Sequence, residues 1–346
     1  MNTTFPRPAP SRSTTSVVAL LVGIAAIVLL FWQFGFDEIG AALSRAQPAG
    51  LVATLFVGAG VRLGYALRWR LSAKAFGIDA PFSRIIRARL AGDAVGTVIP
   101  AGRVGGDPLR IALLRTPQDK TTVAAASVAL DRFMEWIGNT CCAIAGVTVF
   151  AVSRAAVFDR TTEWMIFTLV LLLAILMTPL GMLRLGWRPL RPLHALAPHL
   201  SSARLRRWLA LVYETESQLI DFFRSNPLTF TLGTLASLFI EAVILLEYHL
   251  LLAAFGLHLG WPTLMIAVVT GGLARGIPVP AGLGVFEASE VGLLAIASGD
   301  AGLGFVVGIV MRLHEAFWAL IGFAALASGG GLARLRLLVS TGKAAA

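Results

Sequence analysis

Residues 99–114, IPAGRVGGDPLRIALL, put two prolines, three glycines, an aspartate and two arginines into the middle of a very apolar chain. The whole chain has 346 residues, of which 57% are hydrophobic and only 14% charged. With a mean hydropathy of +0.78, that composition excludes a soluble globule and describes an integral membrane protein. Runs long enough to cross about 30 Å of hydrocarbon lie near 16–34, 50–65, 124–152, 164–185, 228–257 and 302–328, and predict six spans. Two further stretches, about 85–114 and 263–296, are apolar but interrupted by proline and glycine, and predict re-entrant hairpins instead of spans. In that reading the opening segment is the place where the chain turns back inside the membrane.

The segment has a counterpart. Shifted by 180 residues, it lies on VPAGLGVFEASEVGLL, residues 279–294, without a gap. Pro100, Ala101 and Gly102 meet Pro280, Ala281 and Gly282, Leu113 and Leu114 meet Leu293 and Leu294, and Asp107 meets Glu287. The same offset carries Gly92, Ala94 and Gly96 onto Gly272, Ala274 and Gly276, and Arg132 and Glu135 onto Arg312 and Glu315. Ten identities over 44 aligned residues are modest, because Ala, Gly and Leu match easily, but the proline and the charged pair weigh more. Three full spans separate the hairpins, and an odd number of crossings predicts that the second copy is inverted. The expected fold is an all-α polytopic membrane protein of about six transmembrane helices plus two re-entrant hairpins arranged as an inverted repeat. Its halves would be residues 16–152 and 163–328.

The net charge of +10 is read as topology. With six spans and the N-terminus inside, twenty basic residues fall in cytoplasmic segments, Arg68, Arg70 and Arg89 among them, while Arg45, Arg154 and Arg160 fall outside. Residues 1–15 predict a disordered cytoplasmic tail, 16–330 a single membrane domain and 331–346 a basic cytoplasmic tail. Arg7 and Arg12 precede the first run as in a signal peptide, but the sequence FWQF at 31–34 is a poor cleavage site, so a retained helix is expected. Within 201–226, Leu205, Trp208, Leu209, Val212, Leu219 and Phe223 recur at helical spacing opposite Arg206, Arg207, Glu214 and Asp221. That pattern fits an amphipathic helix on the cytoplasmic surface and, equally, a connector packed on the bundle. The two cysteines, Cys141 and Cys142, are adjacent and build neither a disulfide framework nor a metal site.

Charges at membrane depth are costly and are functional candidates by default. The basic ones are Arg62, Arg103, Arg110, Arg132, Arg275 and Arg312, and the acidic ones Asp93, Asp107, Asp131, Glu135, Glu241, Glu247, Glu287, Glu290 and Glu315. Ser127, Asp131, Glu135 and Asn139 follow at i, i+4 and make a polar ladder with Arg132 at its edge, while Arg312 and Glu315 flank His314. In a functional reading the hairpins and polar faces line a path for a charged head group, whose phosphate Arg103, Arg110, Arg132, Arg275 and Arg312 could engage. In a structural reading Arg132 with Glu135, and Arg312 with Glu315, are buried ion pairs that fasten hairpins to helices. The structural role is favoured for those pairs and the transport role for Arg103, Asp107 and Arg110. Glu135, Glu315 and His314 are candidate proton carriers if movement is driven. The chain has no G-x-x-x-x-G-K-[ST], H-E-x-x-H or G-x-S-x-G, so neither enzyme activity nor a metal or other cofactor is expected. Two alternatives stand beside transport: an intramembrane lipid-modifying enzyme using Asp131 and Glu135 as acid and base, and a membrane subunit of a lipid or envelope biosynthesis complex.

The runs GDAVGTVIPAGRVGGDPLRIALL (92–114), AAASVALDRFMEW (124–136) and PVPAGLGVFEASEVGLL (278–294) resemble the flippase-like transmembrane domain of lysylphosphatidylglycerol synthases and their stand-alone relatives. The resemblance implies a lipid translocase of the bacterial inner membrane, multi-pass, with both termini cytoplasmic. Synthases carry a soluble aminoacyl-transferase domain after this region; the chain ends soon after its last apolar run, so a stand-alone member that makes no aminoacyl lipid itself is expected. The VGGD at 104–107 resembles the branch associated with hopanoid biosynthesis. The implied partner is a membrane lipid, whether an anionic or aminoacylated phospholipid, a hopanoid or a polyprenyl lipid, and no nucleic acid. A second copy of the chain and lipid-biosynthesis enzymes are further candidate partners. By motif match, Pro100, Gly102, Gly105, Gly106, Asp107 and Arg110, with Pro280, Gly282, Gly284 and Glu287, are the residues expected to form the path.

Overall fold

A computed structural model describes residues 46–99, 104–115, 121–153, 160–195, 202–276 and 283–328, together with Gly40, Ser44, Pro198 and Leu200. The expected first span, 16–34, and the hairpin tips at 100–103 and 277–282 lie outside the described residues. Every regular element among the described residues is helical: α1 (Pro48–Ala75), α2 (Phe82–Val98), α3 (Asp107–Leu114), α4 (Thr121–Ser153), α5 (Arg160–Arg184), α6 (Arg191–Ala195), α7 (Ala203–Ser225), α8 (Pro227–Ala254), α9 (Trp261–Gly276), α10 (Val285–Ser298) and α11 (Ala301–Ser328). The protein is an all-α, polytopic membrane protein. Among the described residues four helices, α1, α4, α8 and α11, are long and apolar enough to cross a bilayer. The expected span at 164–185 falls within α5, whose apolar part, Val170–Arg184, is shorter than these four.

Local chemistry fixes several helix ends. α1 and α8 each begin with proline, whose missing N–H costs nothing at the first helical position. Each then ends in Phe-Gly: Gly77 and Gly256 adopt φ of +77° and +76°, and Ile78 and Leu257 donate back to Ala73 and Leu252. The two helices are therefore 28-residue copies with the same start and stop signals. They pack antiparallel, since the N–H of Gln47 at the start of α1 donates to the carbonyl of Ala254 at the end of α8, at 2.7 Å.

The two expected hairpins are each a pair of short helices packed together. α3 has eight residues and rises only about 12 Å, far too little to cross the hydrocarbon. A 3-10 turn, Val104–Gly106, leads into it. There α2 and α3 approach so closely that a Cβ on Gly106 would overlap the carbonyl of Gly92. In the second pair, Gly284 starts α10 with φ of +78° and its N–H donates to Glu287 Oε2 at 2.7 Å.

Partners are exchanged between halves: α2 of the first packs on α11 of the second, and α9 of the second on α4 of the first. Buried apolar clusters also form within each half. A first cluster gathers Trp69, Ile85, Leu114 and Val128, and a second Leu252, Leu264, Leu294 and Phe305. Leu51 near the start of α1 packs on the second core and Trp69 near its end belongs to the first, so Arg62, Tyr65 and Arg68 sit between them.

The amphipathic segment forms α7, capped by the Ser202 hydroxyl, which accepts from Leu205 N–H. Leu219, Ile220, Phe222 and Phe223 are buried against Leu130, Met134, Leu180 and Leu183 of α4 and α5, while Leu205 and Trp208 stay exposed.

Candidate functional site

The apolar faces of α1, α2, α3 and α4 converge around charges instead of closing over them. Asp131, fully buried, accepts from three guanidinium groups on three helices: Arg68 Nε at 2.9 Å, Arg89 Nη1 at 2.9 Å and Arg110 Nη2 at 2.6 Å. One turn later, Glu135 accepts from Arg68 Nη2 at 2.9 Å, Arg89 Nη2 at 3.1 Å and Arg132 Nη1 at 3.0 Å. Asp107, at the start of α3, takes Arg132 Nη2 at 2.8 Å and Arg110 Nη1 at 3.1 Å, and Asp93 takes Arg89 Nε at 2.9 Å. Four arginines thus meet four carboxylates. Arg68 and Arg89 also lie over the Tyr65 ring and Arg110 over Trp69. Buried charges are tolerated only when paired in this way, since each would otherwise be stripped of water without compensation.

The second half repeats the central triad. Arg312 donates to Glu287 at the start of α10 (Nε–Oε1 2.5 Å) and to Glu315 one turn along its own helix (Nη1–Oε2 2.7 Å). Arg132 makes the same two contacts with Asp107 and Glu135, 180 residues earlier. Arg275 of α9 adds an ion pair to Glu315, Nε–Oε1 2.9 Å, and both arginines lie over the Phe286 ring. His314 Nε2 stands 3.3 Å from Glu247 Oε1 of α8 and accepts from Trp318 Nε1 at 3.0 Å.

A cleft of about 150 Å³ lies between the networks. Arg62, Arg89, Arg132 and Glu135 face it from the first half, and Arg275, His314, Glu315 and Trp318 from the second. Its walls carry charge on apolar helices, a costly arrangement that makes the cleft a functional candidate. Among the described residues no trio of His, Cys, Asp or Glu is placed to hold a metal ion.

The family model for the lysylphosphatidylglycerol synthase transmembrane region matches residues 16–323, most of the chain. The chain belongs to this family. Two similar proteins, both described as UPF0104 membrane protein and both from Methanothermobacter thermautotrophicus, share 25% identity over 119 residues and 27% over 320 residues. The first match covers 34% of this chain and 35% of the relative, so the chain spans about a third of that protein; the second covers 86% and 88%.

In this lysylphosphatidylglycerol synthase transmembrane-region protein, the expected site residues divide three ways. Asp107, Arg110, Asp131, Arg132 and Glu135 gather in the first network, and Arg275, Glu287, Arg312, His314 and Glu315 in the second. Gly105 and Gly106 form the turn before α3, and Gly284 precedes α10. Pro100, Gly102, Arg103, Pro280 and Gly282 lie outside the described residues. Asp107 and Arg110 are held inside the bundle by ion pairs to α4. Of the polar ladder, Ser127, Asp131 and Glu135 are buried and Asn139 is exposed.

Arg68 and Arg89 correct the count of cytoplasmic basic residues. Each is 2% exposed and both belong to the interior network. The spacing of Tyr65, Arg68, Trp69 and Ser72 at i, i+3, i+4 and i+7 on one face was the signal that could have placed Arg68 inside.

Proposed function

We propose that the protein is a flippase-like lipid translocase, in which a head group passes through the cleft between the two networks while the acyl chains stay in the bilayer. The observation that carries this reading is that arginine–glutamate pairs from both halves, Arg132 with Glu135 and Arg275 with Glu315, face one cleft. Membership of the family and the recurrence of helix boundaries and triads after about 180 residues support it, as does the exchange of packing partners between halves. An inverted repeat fits that recurrence. Guanidinium groups of Arg62 and Arg275 on the cleft wall favour a head group bearing negative charge, such as a phosphate ester. Localisation to a bacterial inner membrane with both termini cytoplasmic goes with this reading.

The lipid-modifying alternative would need Asp131 and Glu135 as acid and base. Each is engaged by three guanidinium groups, which suits a fixed framework better than proton transfer to a substrate.

The test is reconstitution into vesicles of phosphatidylethanolamine and phosphatidylglycerol with fluorescent phosphatidylglycerol in one leaflet. Wild type should redistribute the label, and Arg275→Ala should slow redistribution at least tenfold, corresponding to loss of about 1.4 kcal/mol of head-group stabilisation, while eluting as folded protein. An unchanged rate in Arg275→Ala would remove the cleft from the path.

A further inference from the structure

The carboxylates of the two networks differ in their partners. Asp93, Asp107, Asp131, Glu135, Glu287 and Glu315 all contact guanidinium groups. Glu247 and Glu290 do not: among the described residues no arginine lies within ion-pair distance of either. Glu290 on α10 is 1% exposed and accepts a hydrogen bond from the hydroxyl of Tyr248 on α8. Its other oxygen faces Gly271 of α9, where a Cβ would stand 3.3 Å away. The space left there is a cavity of about 30 Å³, room for a water molecule, lined by Tyr248, Gly271, Glu290, Glu247 and Arg275. Glu247 and Arg275 also line the cleft, so the small cavity adjoins it.

His314 presents a second oddity. Its Nε2 has the Trp318 indole N–H, which can only donate, on one side and the Glu247 carboxyl on the other. One ring nitrogen accepts from Trp318 or donates to Glu247, but not both. In the first arrangement the Nε2 lone pair is taken by Trp318 and is closed to a proton from Glu247; in the second Nε2 carries the proton and donates it to Glu247. Gly58 of α1 permits this crowding, since a Cβ there would come within 2.7 Å of Nε2 and 2.9 Å of Glu247 Oε1.

We propose that Glu290 with Tyr248, and Glu247 with His314, form a proton relay that couples head-group movement in the cleft to a proton gradient. This rests on the translocase reading. A proton from water forms an O–H bond on the Glu290 carboxylate; that bond breaks as the proton passes through the small cavity to Glu247, and then to His314 Nε2 as the Trp318 hydrogen bond lets go. The proton leaves to water on the far side, and each group returns to its starting state. The charged groups facing the relay are Arg62 on α1, Arg275 on α9, Glu287 on α10, and Arg312 and Glu315 on α11. A proton on Glu247 cancels one negative charge beside Arg62 and Arg275, which strengthens their hold on an anionic head group. Proton and head group therefore travel together, and no net charge moves.

The experiment uses the full chain in vesicles of phosphatidylethanolamine and phosphatidylglycerol, with a trace of fluorescent phosphatidylglycerol in both leaflets. A gradient of one pH unit is imposed with the membrane potential clamped. With one proton per lipid, wild type should build up to about a tenfold excess of label in the leaflet facing the alkaline side. In Glu290→Gln the ratio should stay near one. The coupling is overturned if wild type moves label but leaves the ratio at one, or if Glu290→Gln builds the same excess. Infrared titration of the purified protein reads the proton site without any lipid movement. A protonated-carboxyl band that vanishes as pH rises and is missing from Glu290→Gln supports the site; no such band in wild type overturns it. Should Glu290→Gln fail to fold, Tyr248→Phe, which removes only the hydroxyl, should shift that band and reduce the excess. A wild type that moves no label at all sinks the translocase reading and its coupling together, leaving the infrared result to decide the proton site alone.

Discussion

Asp131 ties three helices to α4, because α1, α2 and α3 each send an arginine to it. Its removal would leave Arg68, Arg89 and Arg110 partly uncompensated in the bundle. Breaking one partner of a buried ion network typically costs about 3–5 kcal/mol, so Asp131→Asn should lower the unfolding midpoint in detergent markedly. Pairing it with Arg68→Gln should cost less than the sum of the two single changes, because one cation leaves with its anion. A midpoint unchanged in Asp131→Asn would mean that the network is water-filled and adds nothing to stability. Arg132, Glu135, Asp107 and their counterparts were legible because two copies of one spacing stand in the sequence. Arg68 and Arg89 were not: an arginine near the end of an apolar run reads as a topology signal when only its own helix is in view. Arg89 has one partner on its own helix, Asp93, but the carboxylates that draw both arginines into the bundle lie on α4, up to 67 residues away.

At the scale of elements, the two hairpins followed from proline and glycine in apolar runs, and their helices meet where those glycines allow. Gly106 is the sharpest case. Since a Cβ there would occupy the place of the Gly92 carbonyl, backbone would have to move, and Gly106→Ala should yield little folded protein. Gly60 on α1 has nothing within 4 Å of a Cβ, so Gly60→Ala should leave yield and melting temperature unchanged or slightly higher. Size-exclusion recovery of the two variants side by side checks both, and equal recovery would show that α2 and α3 do not approach as closely as they do here. The surface helix was half legible. Its periodicity was plain, but periodicity cannot tell lipid from protein as the apolar neighbour. α7 buries Phe222 and Phe223 in the bundle and leaves Trp208 exposed.

At the scale of the molecule, the recurrence expected from the charged and proline positions gave no sign in α1 and α8, whose shared Pro start and Phe-Gly stop recur after 179 residues instead of 180. That single-residue slip broke the ungapped register, and apolar letters gave nothing to re-establish it. If the cleft opens to alternate sides, as the translocase proposal requires, the halves must shift where they meet, at α1–α8, α4–α8, α2–α11 and α4–α9. At the contact between α4 and α9 a Cβ on Gly146 would stand 3.2 Å from Met265 Cβ, close enough for a disulfide after small adjustment. With Cys141 and Cys142 replaced by alanine, a Gly146→Cys, Met265→Cys protein should move labelled lipid when reduced, stop when oxidised and recover with dithiothreitol. Movement that continues through a fully formed cross-link would show that this interface stays closed during transport. Any shift would then lie at the other contacts between the halves, α2–α11 among them, where Gly322 lies against Leu90 and Ala94.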